Sequence, residues 1–225
     1  MQFFIEVLVG GLLSGVMYAL VALGFVLIYK ASGVFNFAQG AMVFFAALTF
    51  VGFQEVLPGW LGMAADSSIV FWLAFLLAFL AMIVLGVATE RIVLRPLVNQ
   101  PHITLFMATI GLTYVIEGIA QMTWGATVRG LDLGIVDEPI AWLMDNYEIG
   151  VSKFDLFAAG VAASLVALLA LLFQYTKVGR ALRAVADDHQ AALSIGIPLQ
   201  TIWRVVWAVA GFVALVAGMI WGARN

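Results

Sequence analysis

Six stretches of the chain stay apolar for about the length that crosses a bilayer: 7–29, 35–54, 67–89, 104–124, 156–176 and 205–223. A membrane helix needs roughly 20 such residues at 1.5 Å rise each. Charged residues gather in the intervals between them. The runs lack the ten-residue alternation of a membrane β-barrel. The pattern predicts an all-α, polytopic helical membrane protein, with six spans in one membrane domain over 1–225 and no soluble domain. The first run follows MQFFIE, which has no basic residue. It is expected to be a retained span, not a cleaved signal peptide.

The first two runs are joined by a very short polar gap, in GLLSGVMYALVALGFVLIYKASGVFNFAQG at 11–40. Asn36 and Gln39 have capping-box spacing, with Asn36 at the N-cap and Gln39 at N3 of the second span. The alternative places them on a substrate path, because broken helices in transporters turn their ends toward cargo. Thr109, Thr113, Glu117 and Gln121 recur every four residues, which places them on one helix face. Glu117 is the only charged residue well inside a predicted span. Such a carboxylate is costly in hydrocarbon and should face protein or water. The face is either a hydrophilic path or a hydrogen-bonded seam between helices. Small residues at the same spacing predict close helix packing at Gly11 and Gly15, and along Ala210, Ala214, Gly218 and Gly222.

Composition agrees with a membrane protein. Hydrophobic residues make up 64% of the chain and charged residues 10%, against about 25% charged in soluble domains. Cysteine is absent, and His102 and His189 lack metal-ligand spacing, so no disulfide or metal site is expected. No basic stripe suits nucleic acid. The phosphate-binding G-x-x-x-x-G-K-[ST], G-x-S-x-G and H-E-x-x-H patterns do not occur. The chain is expected not to be an enzyme that hydrolyses ATP or another substrate itself, and no bound cofactor is expected.

Seven of the ten Lys and Arg residues fall in alternate loops: Lys30, Arg91, Arg95, Lys177, Arg180, Arg183 and Arg204. Arg129, Lys153 and Arg224 fall in the others. Basic loops stay inside, so both ends of the chain are expected outside. The outer loop 125–153 carries Asp132, Asp137, Glu138, Asp145 and Glu148. It reads as a solvated loop, or alternatively as a docking surface for an external partner.

The inner loop 177–200 reads KVGRALRAVADDHQAALSIGIPLQ. Val178, Leu182, Val185, Ala186, Ala192 and Leu193 recur at helical spacing, and Gly196 and Pro198 should stop that helix. It could lie in the lipid interface or insert into a cytoplasmic partner. Asp187 and Asp188 suit anionic headgroups poorly, which favours the partner.

Several segments together carry a family signature. The 11–40 segment, ERIVLRPL at 90–97, TIGLTYVIEG at 109–118 with Trp124-Gly125, and GRALRAVADDHQAALSIGI at 179–197 resemble bacterial branched-chain amino-acid ABC transporter permeases. The resemblance implies an inner-membrane subunit of a binding-protein-dependent importer. Its partners would be a second permease, two cytoplasmic ATPase subunits that use the ATP, and a periplasmic binding protein. The cargo would be leucine, isoleucine or valine, although related permeases serve urea, amides or other amino acids. The 179–197 segment resembles the part that engages the ATPase, which nominates Gly179, Arg180, Arg183, Asp187, Asp188 and Gly196 as coupling residues. NFAQG nominates Asn36 and Gln39 for the substrate path beside Thr109, Thr113, Glu117 and Gln121. Family members continue past the equivalent of Asn225, so the chain is expected to match a permease lacking its last helices. A reading of another class is an ion-coupled carrier or channel built on Glu117.

Overall fold

The structure is a computed structural model and describes residues 2–33, 35–97, 100–147 and 150–224. In chain order the helices are α1 (Gln2–Ser32), α2 (Gln39–Leu61), α3 (Ser68–Ala88), α4 (His102–Trp124), α5 (Ala141–Tyr147), α6 (Lys153–Tyr175), α7 (Lys177–Asp187), α8 (His189–Ser194) and α9 (Leu199–Arg224). Six of them, α1–α4, α6 and α9, are long and apolar enough to cross a membrane. Glu148 and the side chains of His102, His189 and Leu193 lie outside the described residues.

Several helices outrun the apolar runs that predict them. Glu55 ends the second run, yet α2 continues to Leu61 and closes on Gly62, at φ 64°, whose N–H donates to the Pro58 carbonyl. A left-handed glycine ends a helix without a Cβ clash. α6 starts at Lys153 because the Ser152 hydroxyl accepts from Phe154 N–H, and Asp155 sits in its first turn. Both features favour a helix N-terminus.

α3 passes directly into a π-helical turn, Thr89–Leu94, in which Arg95 N–H donates to the Glu90 carbonyl five residues back. A short 3-10 turn, Arg95–Leu97, follows. Pro96 explains the change, because its ring would meet the carbonyl four residues earlier and it has no N–H to donate.

α9 is the centre of the bundle. Of its apolar stretch 61% is buried, against 22–44% in the other five long helices. It packs against α1, α2 and α3, while α4 lies outside on α2 and α6 outside on α1. Small residues allow the close approach: a Cβ on Gly86 would lie 2.9 Å from the Trp207 carbonyl oxygen, and one on Gly218 would lie 2.5 Å from that of Val43. Ala210 and Ala214 are fully buried on the same helix. Indole N–H groups pin α9 to α1, with Trp203 donating to Ala31 O at 3.0 Å and Trp221 to Met17 O at 3.3 Å.

The α1–α2 turn, the π-turn, α7 and the start of α9 share one end of the bundle, which carries the seven basic residues named above. Residues 125–147 and 150–152 lie at the other end. There Arg129 pairs with Glu55, and Arg224 pairs with Asp155 at 2.8 Å.

Gly11 and Gly15 correct an expectation. Nothing lies within 4 Å of a Cβ built on either, and both are exposed. In the same turns of α1, Phe3, Phe4, Val7, Leu8 and Leu12 are exposed as well. Four-residue spacing of glycines there marks no contact within this chain.

Candidate functional site

Five of the six buried polar residues among those described lie at the basic end: Asn36, Gln39, Thr89, Glu90 and Thr109. The sixth, Thr49, accepts from Trp124 Nε1 at 3.2 Å further along α2.

Asn36 and Gln39 do not form the expected capping box. α2 starts at Gln39 with Ala38 at its N-cap and no side-chain cap bond, so Gln39 is the first helical residue and not the third. Asn36 Oδ1 instead accepts from Ala38 N–H at 3.1 Å. Its Nδ2 reaches Gln39 Oε1 at 3.5 Å and Met42 Sδ at 3.6 Å. Both residues are fully buried, and Gln39 Nε2 has no hydrogen-bond partner among the described residues. An unpaired buried donor costs about 1–3 kcal/mol.

The turn before them is tight. Gly33 adopts φ 67°, and its N–H donates to Tyr29 O at 2.8 Å. Aromatic rings cover it from α1 to α4: Phe35 meets Phe25, Tyr29 and Phe37, and Phe37 meets Phe106 edge-on at 4.7 Å.

The expected polar face of α4 does not stay in one environment. Thr109 is fully buried, with its hydroxyl 2.9 Å from Phe106 O and 3.2 Å from Phe35 O, so it ties α4 to the α1–α2 turn. Thr113 donates to Thr109 O at 3.2 Å. Thr113 and Glu117 are half-buried, and Gln121 is exposed. Four-residue steps advance about 40° beyond a full turn, so three steps carry the stripe about 120° around the helix. The buried face follows Leu105, Thr109, Leu112, Ile116 and Ala120 instead.

The most buried carboxylate among the described residues lies elsewhere. Glu90 is 1% exposed, and its Oε1 has no partner among the described residues. The sequence gives little warning, because Glu90 follows the third apolar run directly. α3 and its π-turn keep that run's buried seam going through Met82, Gly86, Glu90 and Leu94.

α7 is the amphipathic element of the basic end. Thr176 caps it, accepting from Gly179 N–H at 3.0 Å. Gly179, Leu182 and Val185 are buried against the bundle, while Arg180, Arg183, Asp187 and Asp188 are exposed. A Cβ on Gly179 would sit 2.1 Å from the Phe173 carbonyl oxygen. The single expected helix is two, because Asp188 has extended backbone and its carboxylate accepts from Ala191 N–H at the start of α8. Gly196, at φ 85°, stands beyond α8 and is exposed.

Six apolar helices, an amphipathic basic-end helix and a buried polar layer describe a multi-pass helical membrane protein. Residues 7–224 match the family described as branched-chain amino acid transport system / permease component, and the chain belongs to it. The chain is 24% identical to the high-affinity branched-chain amino acid transport system permease protein LivH of Salmonella typhimurium, over 98% of this chain and 71% of that one. It is 23% identical to BraD of Pseudomonas aeruginosa, a permease protein of the same description, over the same shares. It is 28% identical to the fructose import permease protein FruF of Bifidobacterium longum, over 66% of this chain and 39% of that one. No solved structure matches the chain significantly.

Proposed function

We propose that the chain is a permease subunit of an ATP-driven, binding-protein-dependent importer that carries branched-chain amino acids across a bacterial inner membrane. The observation that carries this reading is α7, whose buried face holds it to the bundle while Arg180, Arg183, Asp187 and Asp188 are exposed on the side a partner would meet. The basic end faces the cytoplasm under the positive-inside rule. One of the importer's two ATPase subunits docks there on α7 and supplies ATP hydrolysis, and the outer loop 125–153 faces the binding protein. ATP-driven movement at α7 passes into the helices it packs on, α1 and α6.

A second permease subunit covers the open face of α4. A half-buried Glu117 cannot stay against lipid without a large cost, so protein or water faces it in the assembly. The path then runs past Thr113, Glu117 and Gln121. Asn36, Gln39 and Thr109 form its buried inner support.

The test is uptake of radiolabelled leucine into vesicles holding all the subunits, with and without ATP. ATP-dependent uptake competed by isoleucine and valine is the expected outcome. Competition by urea, amides or fructose instead would reassign the cargo. Uptake driven by a pH gradient without ATP would replace this reading with an ion-coupled carrier.

A further inference from the structure

Cations are paired at one end of the bundle and unpaired at the other. Arg129, Lys153 and Arg224 each meet a carboxylate, on Glu55, Glu138 and Asp155 in turn. The basic residues of the opposite end make no ion pair among the described residues. Asp187 and Asp188 are the exposed carboxylates described there, and both belong to the end of α7.

Two of these cations converge on one residue. Arg95, beyond the π-turn of α3, donates from Nη2 to Gln200 Oε1. Arg204, one turn along α9, donates from Nε to the Gln200 carbonyl at 3.2 Å. All three residues are exposed. A guanidinium has five N–H donors in a fixed fork, so each arginine keeps most of its donors open. Glutamine is neutral, so two positive charges gather on it without a carboxylate among the described residues. Their repulsion falls when an anion sits against both.

Depth in the membrane decides which anion. α3 runs 21 residues from Ser68 to Ala88, about 31 Å at 1.5 Å each, which matches a hydrocarbon core of about 30 Å. Arg95 follows that helix after the π-turn, and Arg204 directly precedes the charge-free run 205–223 of α9. The two helices are antiparallel neighbours, since a Cβ on Gly86 would meet Trp207 O and one on Gly211 would meet Met82 O. Both arginines therefore stand at headgroup depth, where phospholipid phosphates lie. The surface leading to them is apolar. Leu76, Leu80 and Val84 are exposed along α3, and Ile92, just before Arg95, is 72% exposed. An acyl chain needs such a track, whereas a free anion does not.

We propose that Arg95, Gln200 and Arg204 form a binding site for the phosphate of an anionic phospholipid, whose acyl chain lies along α3. Each guanidinium donates paired N–H groups to phosphate oxygens, a geometry that arginine supplies and lysine does not. Gln200 orients both forks by accepting one bond from each. A zwitterionic headgroup carries its own cation beside the phosphate, so a net negative one binds more tightly. The bound lipid joins the segment after α3 to the start of α9. The site depends on the chain spanning a membrane, and not on its cargo or on its ATPase partner.

The experiment is native mass spectrometry of the purified full chain in neutral detergent, with phosphatidylglycerol, phosphatidylcholine or inorganic phosphate added. One phosphatidylglycerol is expected to stay bound under conditions that strip phosphatidylcholine and phosphate. Arg95→Gln and Arg204→Gln are each expected to weaken its retention about tenfold, the scale of one charge-assisted hydrogen bond. The double variant is expected to lose it. Lys30→Gln removes one charge from the same end and is expected to hold the lipid as the parent does. Phosphatidylglycerol is expected to raise the melting temperature of the parent and not of the double variant. Arg95→Lys with Arg204→Lys keeps both charges without the forks, and is expected to bind more weakly than the parent. Parent-like retention in the glutamine or lysine double variant would overturn the site. So would equal retention of phosphatidylcholine, or an equal loss in Lys30→Gln, either of which would mean unspecific attraction. Phosphate held as tightly as phosphatidylglycerol would overturn the lipid and leave a soluble anion in its place.

Discussion

Gln39 fills the space that a side chain on Gly24 would need. A Cβ on Gly24 would lie 2.0 Å from Gln39 Nε2 and 2.6 Å from its Cδ. The first residue of α2 is thus seated directly against the backbone of α1. The α1–α2 hairpin is held by that contact, by the Gly33 turn, and by the ring cover of Phe35 and Phe37.

Gly24→Ala should push the Gln39 amide out of its seat. Overpacking of this kind costs about 1–3 kcal/mol. The purified permease should melt at lower temperature, and Gln39→Ala in the same chain should recover part of the loss. A melting temperature equal to the parent's in Gly24→Ala would show that Gln39 has room to move.

Arg180→Glu and Arg183→Glu reverse charge on the open face of α7 without touching its buried residues. Membrane insertion and melting should stay close to the parent, since exposed substitutions usually fall within about 0.5 kcal/mol. ATP hydrolysis by the reconstituted complex should lose its link to uptake. Parallel measurement of phosphate release and leucine uptake checks this, and unchanged coupling in both variants would remove α7 as the docking element.

Gly179→Ala tests the other face of α7. The added methyl meets the Phe173 carbonyl oxygen, which belongs to backbone and cannot rotate away. α7 should detach from the end of α6 and open to protease. Faster tryptic cleavage near Lys177 and Arg180 in membrane vesicles is the expected result, with the long helices still protected.

Glu117→Gln should leave insertion and melting unchanged, because the side chain is half-buried and makes no ion pair among the described residues. Uptake should fall about tenfold, equivalent to about 1.4 kcal/mol in the barrier. Retained uptake at limiting and saturating leucine would take Glu117 off the path and leave it facing the neighbouring subunit.

The sequence by itself determined the six-helix membrane architecture and the amphipathic α7. Both follow from local rules: an uninterrupted apolar run must satisfy its own backbone bonds in lipid, and buried positions on a surface helix repeat every three to four residues. The family signature was legible for the same reason, because its segments sit on those elements. Tertiary structure decided which polar groups lose water. Thr109 and Glu117 share a spacing pattern, but only Thr109 reaches the contact with the α1–α2 turn, because a four-residue stripe winds off the packed face. Gly11 and Gly15 match Ala210, Ala214 and Gly218 in spacing, yet only the α9 residues meet other helices. Asn36 and Gln39 had cap spacing, but the helix start moved to Gln39 and both amides were drawn into the interior. Glu90 followed an apolar run like any interfacial residue. Its burial depends on α3 and its π-turn continuing against α9, and that is a property of two helices together.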